Sequence, residues 1–123
     1  MNLLLDTHVL LWWLSDDVRL PERMRTAISD GDSEVFVSAA SAWEIAIKAS
    51  LGKLTVPDGL REQVQVQGFT ELPVSVEDGL DAGALPRHHD DPFDRMLIAQ
   101  AVRRGLQLLS VDRRFADYDV RLL

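Results

Sequence analysis

The order of apolar segments along the chain constrains its fold more than any other feature of the sequence. Short apolar runs of strand length alternate with longer segments whose apolar residues have helical spacing. We predict strands over residues 2–5, 34–37, 69–72, 106–111 and 120–122, and helices over residues 7–15, 21–30, 39–51, 58–67, 76–85 and 91–104. Strands that alternate with helices indicate a parallel sheet covered on both faces. The expected fold class is therefore α/β, with three α/β/α layers around a central parallel sheet of four to five strands.

The length and composition narrow the class of protein further. With 123 residues, 46% of them hydrophobic, the chain fits a single domain over residues 1–123. It has no cysteine, which excludes disulfides and thiolate metal sites and suits a reducing cytoplasm. The N-terminus lacks a basic segment, and the longest later apolar run, residues 9–14, is too short to span a bilayer. We therefore expect a cytoplasmic protein without a membrane segment.

The net charge of −7 argues at first against a nucleic-acid-binding protein. Contacts to phosphates usually require a basic surface, and this chain has 20 acidic residues against 13 basic ones. The objection weakens if several acids hold divalent cations, because bound ions reverse the local charge. The positions of the acids therefore decide between the two interpretations.

Two of the predicted strands end directly in an aspartate. Leu5 is followed by Asp6, and Val111 is followed by Asp112. In open parallel sheets, ligands bind beyond the C-terminal ends of the strands, where the strand order reverses. If the order is 3-2-1-4-5, the first and fourth strands are neighbours, and these two aspartates face one crevice.

The helix predicted over residues 39–51 carries its polar side chains in one narrow stripe, formed by Ser41, Glu44 and Lys48. Its other residues are almost all apolar, which is typical of a largely buried helix. We therefore expect the stripe to face a polar crevice, where Glu44 needs either Lys48 or a cation as its partner. Asp94 lies in the first turn of another helix whose remaining face is apolar. The four acids can thus converge on one pocket.

Each of these acids also has a purely structural interpretation. Asp6 and Asp112 precede helices, where aspartate is a favoured N-cap that contributes roughly 1 kcal/mol. Asp91 and Asp94 have the spacing of a variant capping box. Glu44 has a lysine four residues later, as in an ordinary pair on a helix surface. Only the four acids together favour a site: clustered carboxylates repel, divalent cations relieve the repulsion, and oxygen ligands select Mg²⁺ or Mn²⁺ over zinc.

Four blocks of the sequence carry a family resemblance. They are LDTHVLLWW (residues 5–13), SAWEIAIK (41–48), HDDPFDR (89–95) with AQA (99–101), and SVD (110–112) before Phe115. In these blocks, which occur in the family's order and spacing, the chain resembles PIN-domain proteins, and among them the VapC toxins of bacterial toxin–antitoxin pairs. The resemblance extends over essentially the whole chain.

The resemblance implies a metal-dependent endoribonuclease that a cognate antitoxin protein holds inactive. It implies metal-binding or catalytic roles for Asp6, Glu44, Asp94 and Asp112, with Mg²⁺ or Mn²⁺ as cofactor and RNA as substrate. Thr7 and Ser110 match small hydroxyl residues near the metal, so we expect them to have supporting roles. Bound cations lower the pKa of a water molecule and neutralise charge on the phosphoryl oxygens. A homodimer is expected as well.

Several further arginines and tryptophans are candidates for functional roles. Arg113 and Arg114 are the candidates for contacts to RNA phosphates, whereas Arg95 has the spacing to pair with Asp91. Three tryptophans could stack on bases, but their spacing is more typical of core or interface residues: Trp12, Trp13 and Trp43. Of the first two, one is expected to meet the core and the other to form an exposed apolar patch.

The histidines give no clear functional signal. His88 and His89 are adjacent in a loop after a proline, where we expect solvated side chains, and nothing else in the chain has zinc-ligand spacing with them. His8 has no assigned role.

Other protein classes share part of this pattern. A receiver domain of a signalling pair needs two acids after the first strand, an aspartate after the third and a lysine after the fifth. This chain has one acid after the first strand and Leu72-Pro73 at the end of the third. A haloacid-dehalogenase-type phosphatase needs a second aspartate where His8 stands. A catalytically silent PIN scaffold is the remaining alternative, although all four acids are present.

Overall fold

The centre of the fold is a sheet of parallel strands. The computed structural model describes residues 1–56 and 59–123, and within them the sheet has four strands: β1 (Asn2–Leu5), β2 (Glu34–Ser38), β3 (Thr70–Leu72) and β4 (Gln107–Leu109). They pair in the order β3-β2-β1-β4, and all three pairings are parallel. This is the order that was assumed for the first four strands. It places the C-terminal ends of β1 and β4 side by side.

Helices connect the strands and cover both faces of the sheet. They are α1 (Thr7–Leu14), α2 (Glu22–Ser29), α3 (Ala39–Ser50), α4 (Leu60–Val66), α5 (Val76–Ala84) and α6 (Pro92–Arg104), followed by a 3-10 helix over Arg113–Asp117. None of the helices in the described part of the chain is long and apolar enough to cross a membrane.

The three leucines of β1 lie in two separate cores, because successive side chains of a strand point to opposite faces. Leu3 and Leu5 pack with Val9 of α1 and with residues of α2 and α4. Leu4 packs on the other face with Leu97 of α6 and with the 3-10 helix. All three leucines are fully buried, and each contributes roughly 2 kcal/mol by leaving water. The predicted α/β fold, with helices on both faces of a parallel sheet, is confirmed.

The last two predicted strands are shorter than expected. The strand predicted over residues 106–111 ends at Leu109, because the chain then turns into the 3-10 helix. The prediction that this strand ends directly in Asp112 was therefore wrong, since Asp112 lies three residues beyond it. The Asp112 amide donates to the Ser110 hydroxyl at 3.1 Å in that turn. The strand predicted over residues 120–122 is a single bridge from Leu122 to Leu108.

The helices follow the sequence signals with small shifts at their ends. Pro21 was predicted to be the first residue of α2, but it is the N-cap of that helix. Pro92 begins α6, as predicted. Gly105 ends α6 in the left-handed conformation that such a stop requires. The helix predicted over residues 58–67 corresponds to α4, which begins at Leu60. Its predicted start at residue 58 lies outside the described residues.

Candidate functional site

Asp6 joins the end of β1 to the start of α1. Its Oδ1 accepts a hydrogen bond from the Val9 amide at 2.8 Å, so the predicted N-cap is confirmed. The residue is only 4% exposed. Burial raises the pKa of Asp6, although hydrogen bonds with Ser110 and Val9 favour the charged form. Within residues 1–56 and 59–123, Asp6 forms no salt bridge that would balance its charge.

Glu44 extends from α3 toward the same edge of the sheet and is buried. The Thr7 hydroxyl donates to its Oε1 at 2.5 Å, and Lys48 Nζ donates to its Oε2 at 2.9 Å. The hydroxyl of Ser41, also buried, lies 3.2 Å from that of Thr7. The polar stripe of α3 therefore faces the interior, as predicted, and Glu44 has Lys48 as its partner.

The prediction that α3 is largely buried was wrong. The side of the helix opposite the polar stripe is exposed, with Trp43 at 65% exposure and four alanines beside it: Ala39, Ala42, Ala46 and Ala49. Alanine gains little by leaving water, so a helix rich in alanine can present an apolar side to solvent. Hydrophobicity alone did not reveal which side of α3 packs inward. Trp43 is consequently not a core residue.

Asp94 lies in the first turn of α6, beside the N-cap Asp91. Asp91 accepts hydrogen bonds from the amides of Phe93 and Asp94, at 2.8 and 3.2 Å. The predicted capping box is incomplete, because Asp94 does not bond back to the Asp91 amide. Its Oδ2 lies 2.7 Å from His89 Nε2 instead. Burial and the charge of Asp91 raise the pKa of Asp94 to about 6, against the opposite influence of His89.

Asp112 follows β4 and caps the 3-10 helix, as predicted. Its Oδ1 accepts from the Arg114 amide at 2.9 Å, and its Oδ2 pairs with the Arg114 guanidinium at 2.7 Å. The hydrogen bond from that guanidinium lowers the pKa of Asp112, although partial burial opposes it. Asp112 is thus the acid of the cluster whose charge is balanced by an arginine.

All four predicted acids line one cleft at the C-terminal ends of β1 and β4. The cleft has a volume of about 380 Å³, and its lining includes Asp6, His8, Trp12, Glu44, Lys48, Asp91, Asp94, Asp112 and Arg114. Ligand atoms of Asp94, Asp112 and His89 lie within 4.8 Å of one another, close enough to hold one ion. A larger cavity of about 520 Å³ lies beside α3, α4 and β3, but its lining is mostly apolar. The carboxylates that could hold a metal ion are therefore gathered in the smaller cleft.

The interpretation of His89 as a solvated loop residue was wrong. His89 is 5% exposed and contacts Asp94, whereas His88 is exposed as expected. A loop has no periodicity that would distinguish one histidine from the next. The only signal was the position of His89 two residues before the N-cap Asp91.

The arginine and tryptophan predictions also differ from the structure. Arg95 is buried and donates to main-chain carbonyls between α5 and α6, so it does not pair with Asp91. Trp12 and Trp13 are both half-buried against the core. Trp13 donates to Gln67 Oε1 at 3.0 Å, and Trp12 lines the cleft. Neither tryptophan therefore forms a separate exposed patch.

Comparisons with known proteins agree with the fold. The family model described as PIN domain matches residues 3–121. Ribonuclease VapC22 of Mycobacterium tuberculosis (strain ATCC 25618 / H37Rv) is 32% identical over 125 residues, which are 95% of this chain and 92% of the relative.

Two solved structures have the same fold over nearly their whole length. VapBC2 from Rickettsia felis, bound to a DNA fragment from its promoter, has a TM-score of 0.72 at 10% identity and covers 100% of this chain and 98% of that chain. A toxin–antitoxin complex from Klebsiella pneumoniae has a TM-score of 0.69 at 16% identity and covers 98% and 94%.

Proposed function

The chain belongs to the PIN-domain family, and from this membership we propose that it is an Mg²⁺- or Mn²⁺-dependent endoribonuclease that hydrolyses RNA phosphodiesters. We propose further that it is a VapC-type toxin, that residues 1–123 act as one domain in the cytoplasm, and that a small cognate antitoxin neutralises it. The identity to Ribonuclease VapC22 supports the reaction class. The shared fold with the Klebsiella pneumoniae toxin–antitoxin complex is consistent with an antitoxin partner.

One observation carries the proposal: four carboxylates from separate segments of the chain line a single cleft. Asp6 and Asp112 come from the ends of β1 and β4, Glu44 comes from α3, and Asp94 comes from α6. If these acids served only as N-caps or as partners on a helix surface, they would have no reason to be gathered. Their convergence is what a site for hard cations requires.

The charge balance of the cleft fits a divalent cation. Asp6 and Asp94 are both kept from water by burial, and burial raises the pKa of each. A cation beside them would offset the cost of burying these charges. Asp6, Asp94 and Asp112 are the residues that would hold it, and Glu44 would hold a second ion or orient a water. When bound, the metal supplies a lower pKa for a water molecule and positive charge beside the phosphoryl oxygens.

The remaining residues of the cleft have supporting roles in this proposal. Thr7 fixes Glu44 through the hydroxyl hydrogen bond, and Ser110 holds Asp6 in the same way. Arg114 lines the cleft and is the better placed of the two arginines to contact an RNA phosphate. The Arg114 guanidinium would then contact the phosphate in place of Asp112. Arg113 is exposed beside it.

A homodimer is part of the proposal, supported by the exposed apolar side of α3. This side continues into a cavity of about 410 Å³ with an almost wholly apolar lining, which includes Trp43, Val74, Phe93 and Met96. An exposed apolar patch of this kind is typical of a protein interface.

The nuclease proposal is tested by cleavage of single-stranded RNA with the purified chain. We expect cleavage with Mg²⁺ or Mn²⁺ and none after removal of metal with EDTA. Asp6→Asn and Asp94→Asn should each lower the rate by about 100-fold, because the amide keeps the shape of the carboxylate but not its charge. Asp90→Asn is the matched control, since Asp90 is exposed and close in sequence. Full activity of both cleft variants, or of the metal-free protein, would contradict the proposal.

A further inference from the structure

His89 is the buried histidine of this chain, and it lies against two of the four acids. Its side chain is 3% exposed, and its Nε2 is 2.7 Å from Asp94 Oδ2 and 3.9 Å from Asp112 Oδ2. The ring packs edge-on against Phe115, with the ring planes at 73°. This position allows two different functions: His89 could bind the metal directly, or it could hold Asp94 in place.

The other ring nitrogen distinguishes these functions. The Asp91 amide donates to His89 Nδ1 at 3.4 Å. A backbone amide can only donate, so Nδ1 must be the acceptor and carries no proton. In a neutral imidazole the proton then lies on Nε2, which donates to Asp94. A nitrogen that carries a proton has no lone pair left for a metal ion.

The main chain of His89 fixes the ring in this position. The His89 amide donates to the Tyr118 hydroxyl at 2.9 Å, and the His89 carbonyl accepts from Arg95 Nη1 at 3.2 Å. The loop is therefore attached both to the C-terminal segment and to α6. The ring has little freedom to turn Nδ1 toward the acids.

We propose that His89 is a positioning residue, whose Nε2–H donates to Asp94 and orients that carboxylate toward the cation without binding the cation itself. The inference rests on the proposed function, because it assumes a metal ion in the cleft. Hydrogen-bond partners of metal ligands are typically worth 10–100-fold in metal affinity. The alternative, direct ligation, would use the same three residues whose ligand atoms lie within 4.8 Å of one another.

Two amide substitutions separate positioning from ligation. In His89→Gln the side-chain amide reaches the place of Nε2 and can donate to Asp94. In His89→Asn it reaches only the place of Nδ1. We expect His89→Gln to bind Mn²⁺ within about 3-fold of the unsubstituted chain, and His89→Asn to bind it about 10–100-fold more weakly, measured by calorimetry. The control is His88→Gln, a change of the exposed neighbour, which should leave the Mn²⁺ affinity unchanged.

A spectroscopic measurement tests the same inference by a readout that does not depend on metal affinity. Electron spin-echo spectroscopy of the Mn²⁺-loaded chain with ¹⁵N-labelled histidine reports nitrogen bound directly to the metal. We expect the spectrum of the unsubstituted chain to contain no ¹⁵N coupling to Mn²⁺ that is absent from the spectrum of His89→Gln. Thermal unfolding of each variant confirms that it is folded before its affinity is compared.

The outcomes are distinct. A nitrogen coupling that disappears in His89→Gln, or an equal loss of affinity in both His89 variants, would show ligation and overturn the inference. Unchanged affinity in His89→Asn would overturn it as well, while cleavage of RNA by the same preparation would leave the proposed function intact. If the unsubstituted chain neither binds Mn²⁺ nor cleaves RNA, the proposed function fails too.

Discussion

Asp94 illustrates how a single side chain in the cleft is held at a cost to folding. Burial and the nearby charge of Asp91 raise its pKa to about 6, even though His89 favours the charged form. In most molecules the Asp94 carboxyl is still ionised at neutral pH, so the folded protein carries a partly buried charge. Groups destabilised in this way are common where a protein binds a ligand or carries out chemistry.

The first prediction concerns the stability of this residue. In EDTA at pH 7, Asp94→Asn should raise the free energy of unfolding by about 1 kcal/mol, because the neutral amide removes the repulsion and can still accept from His89. The same variant should lose RNA cleavage. Urea unfolding measures the change, and Asp90→Asn serves as the exposed control. A destabilised Asp94→Asn variant would contradict this explanation, because it would show that the charge favours folding.

The second prediction concerns Arg95, which is 5% exposed. Its guanidinium donates to the carbonyls of Ala82, Leu85 and Pro86 at 2.8–2.9 Å. Lysine cannot reproduce this fork, so Arg95→Lys leaves buried carbonyls without donors and should lower the free energy of unfolding by about 2–3 kcal/mol. Arg113→Lys, a change at an exposed arginine, should cost less than about 0.5 kcal/mol. Equal unfolding midpoints for the two variants would contradict this explanation.

At the level of elements, α5 and α6 are joined by one buried carboxylate. Asp78 is fully buried, and it accepts from Arg104 at 2.8 and 3.0 Å while completing a capping box with Ser75. Burial alone would raise the pKa of Asp78. The hydrogen bonds from Arg104, Ser75 and Gln100 outweigh burial and hold the pKa well below its usual range.

The third prediction follows from the sign of that shift. Because the pKa of Asp78 is lower in the folded chain than in the unfolded one, the stabilisation is fully present above the unfolded value of about 3.9 and is lost as the pH falls. Asp78→Asn should therefore cost about 3 kcal/mol at pH 7 and clearly less at pH 3. Urea unfolding at both values measures this difference. The control Asp81→Asn removes an exposed ion pair with Arg103 and should cost less than about 0.5 kcal/mol at either pH.

The fourth prediction compares two glycines of the α5–α6 unit. Gly105 has a φ of +64° at the end of α6, which alanine adopts only with strain, so Gly105→Ala should lower the free energy of unfolding by about 1 kcal/mol. Gly79 lies inside α5, and a Cβ there would meet nothing within 4 Å. Gly79→Ala should therefore raise the free energy of unfolding by about 0.5–1 kcal/mol. Chemical denaturation of both variants measures the two changes in the free energy of unfolding. Changes of the same sign would contradict the explanation from the backbone conformations of the two glycines.

The sequence predicted elements and their order better than it predicted their orientation. The alternation of apolar runs predicted the parallel sheet, and the positions of Asp6 and Asp112 after the first and fourth strands indicated the convergence of the acids. The strand order itself was an assumption. The exposed side of α3 was not predictable, because alanine patterns do not distinguish a packed face from a free one. The burial of His89 depends on contacts with Tyr118 and α6 that are distant in sequence. Such contacts leave no local pattern.

At the scale of the whole molecule, part of the negative charge lies in the cleft. The chain has a net charge of −7, and five of its 20 acidic residues line the cleft: the four predicted acids and Asp91. A cation that binds only the folded protein shifts the folding equilibrium toward it. In the proposed function, a bound cation would offset part of the negative charge that argues against RNA binding in the sequence.

The fifth prediction is that Mn²⁺ stabilises the whole fold. At a concentration 100 times its Kd, the ion should add about 2.7 kcal/mol to the free energy of unfolding, seen as a higher melting temperature. Asp6→Asn should reduce that increase to near zero, whereas Asp90→Asn should keep it. A rise of the same size in Asp6→Asn would place the ion elsewhere.

The pairing of β1 with β4 has a consequence for protein synthesis. Among the described residues β1 is the first strand in sequence and β4 the last, yet the two are neighbours, with Asp6 directly after β1 and Asp112 three residues after β4. Chains fold from the N-terminus as they emerge, so a nascent chain holds Asp6 long before Asp112 is available. A cation site that needs both aspartates therefore cannot form before the segment that follows β4 has been synthesised.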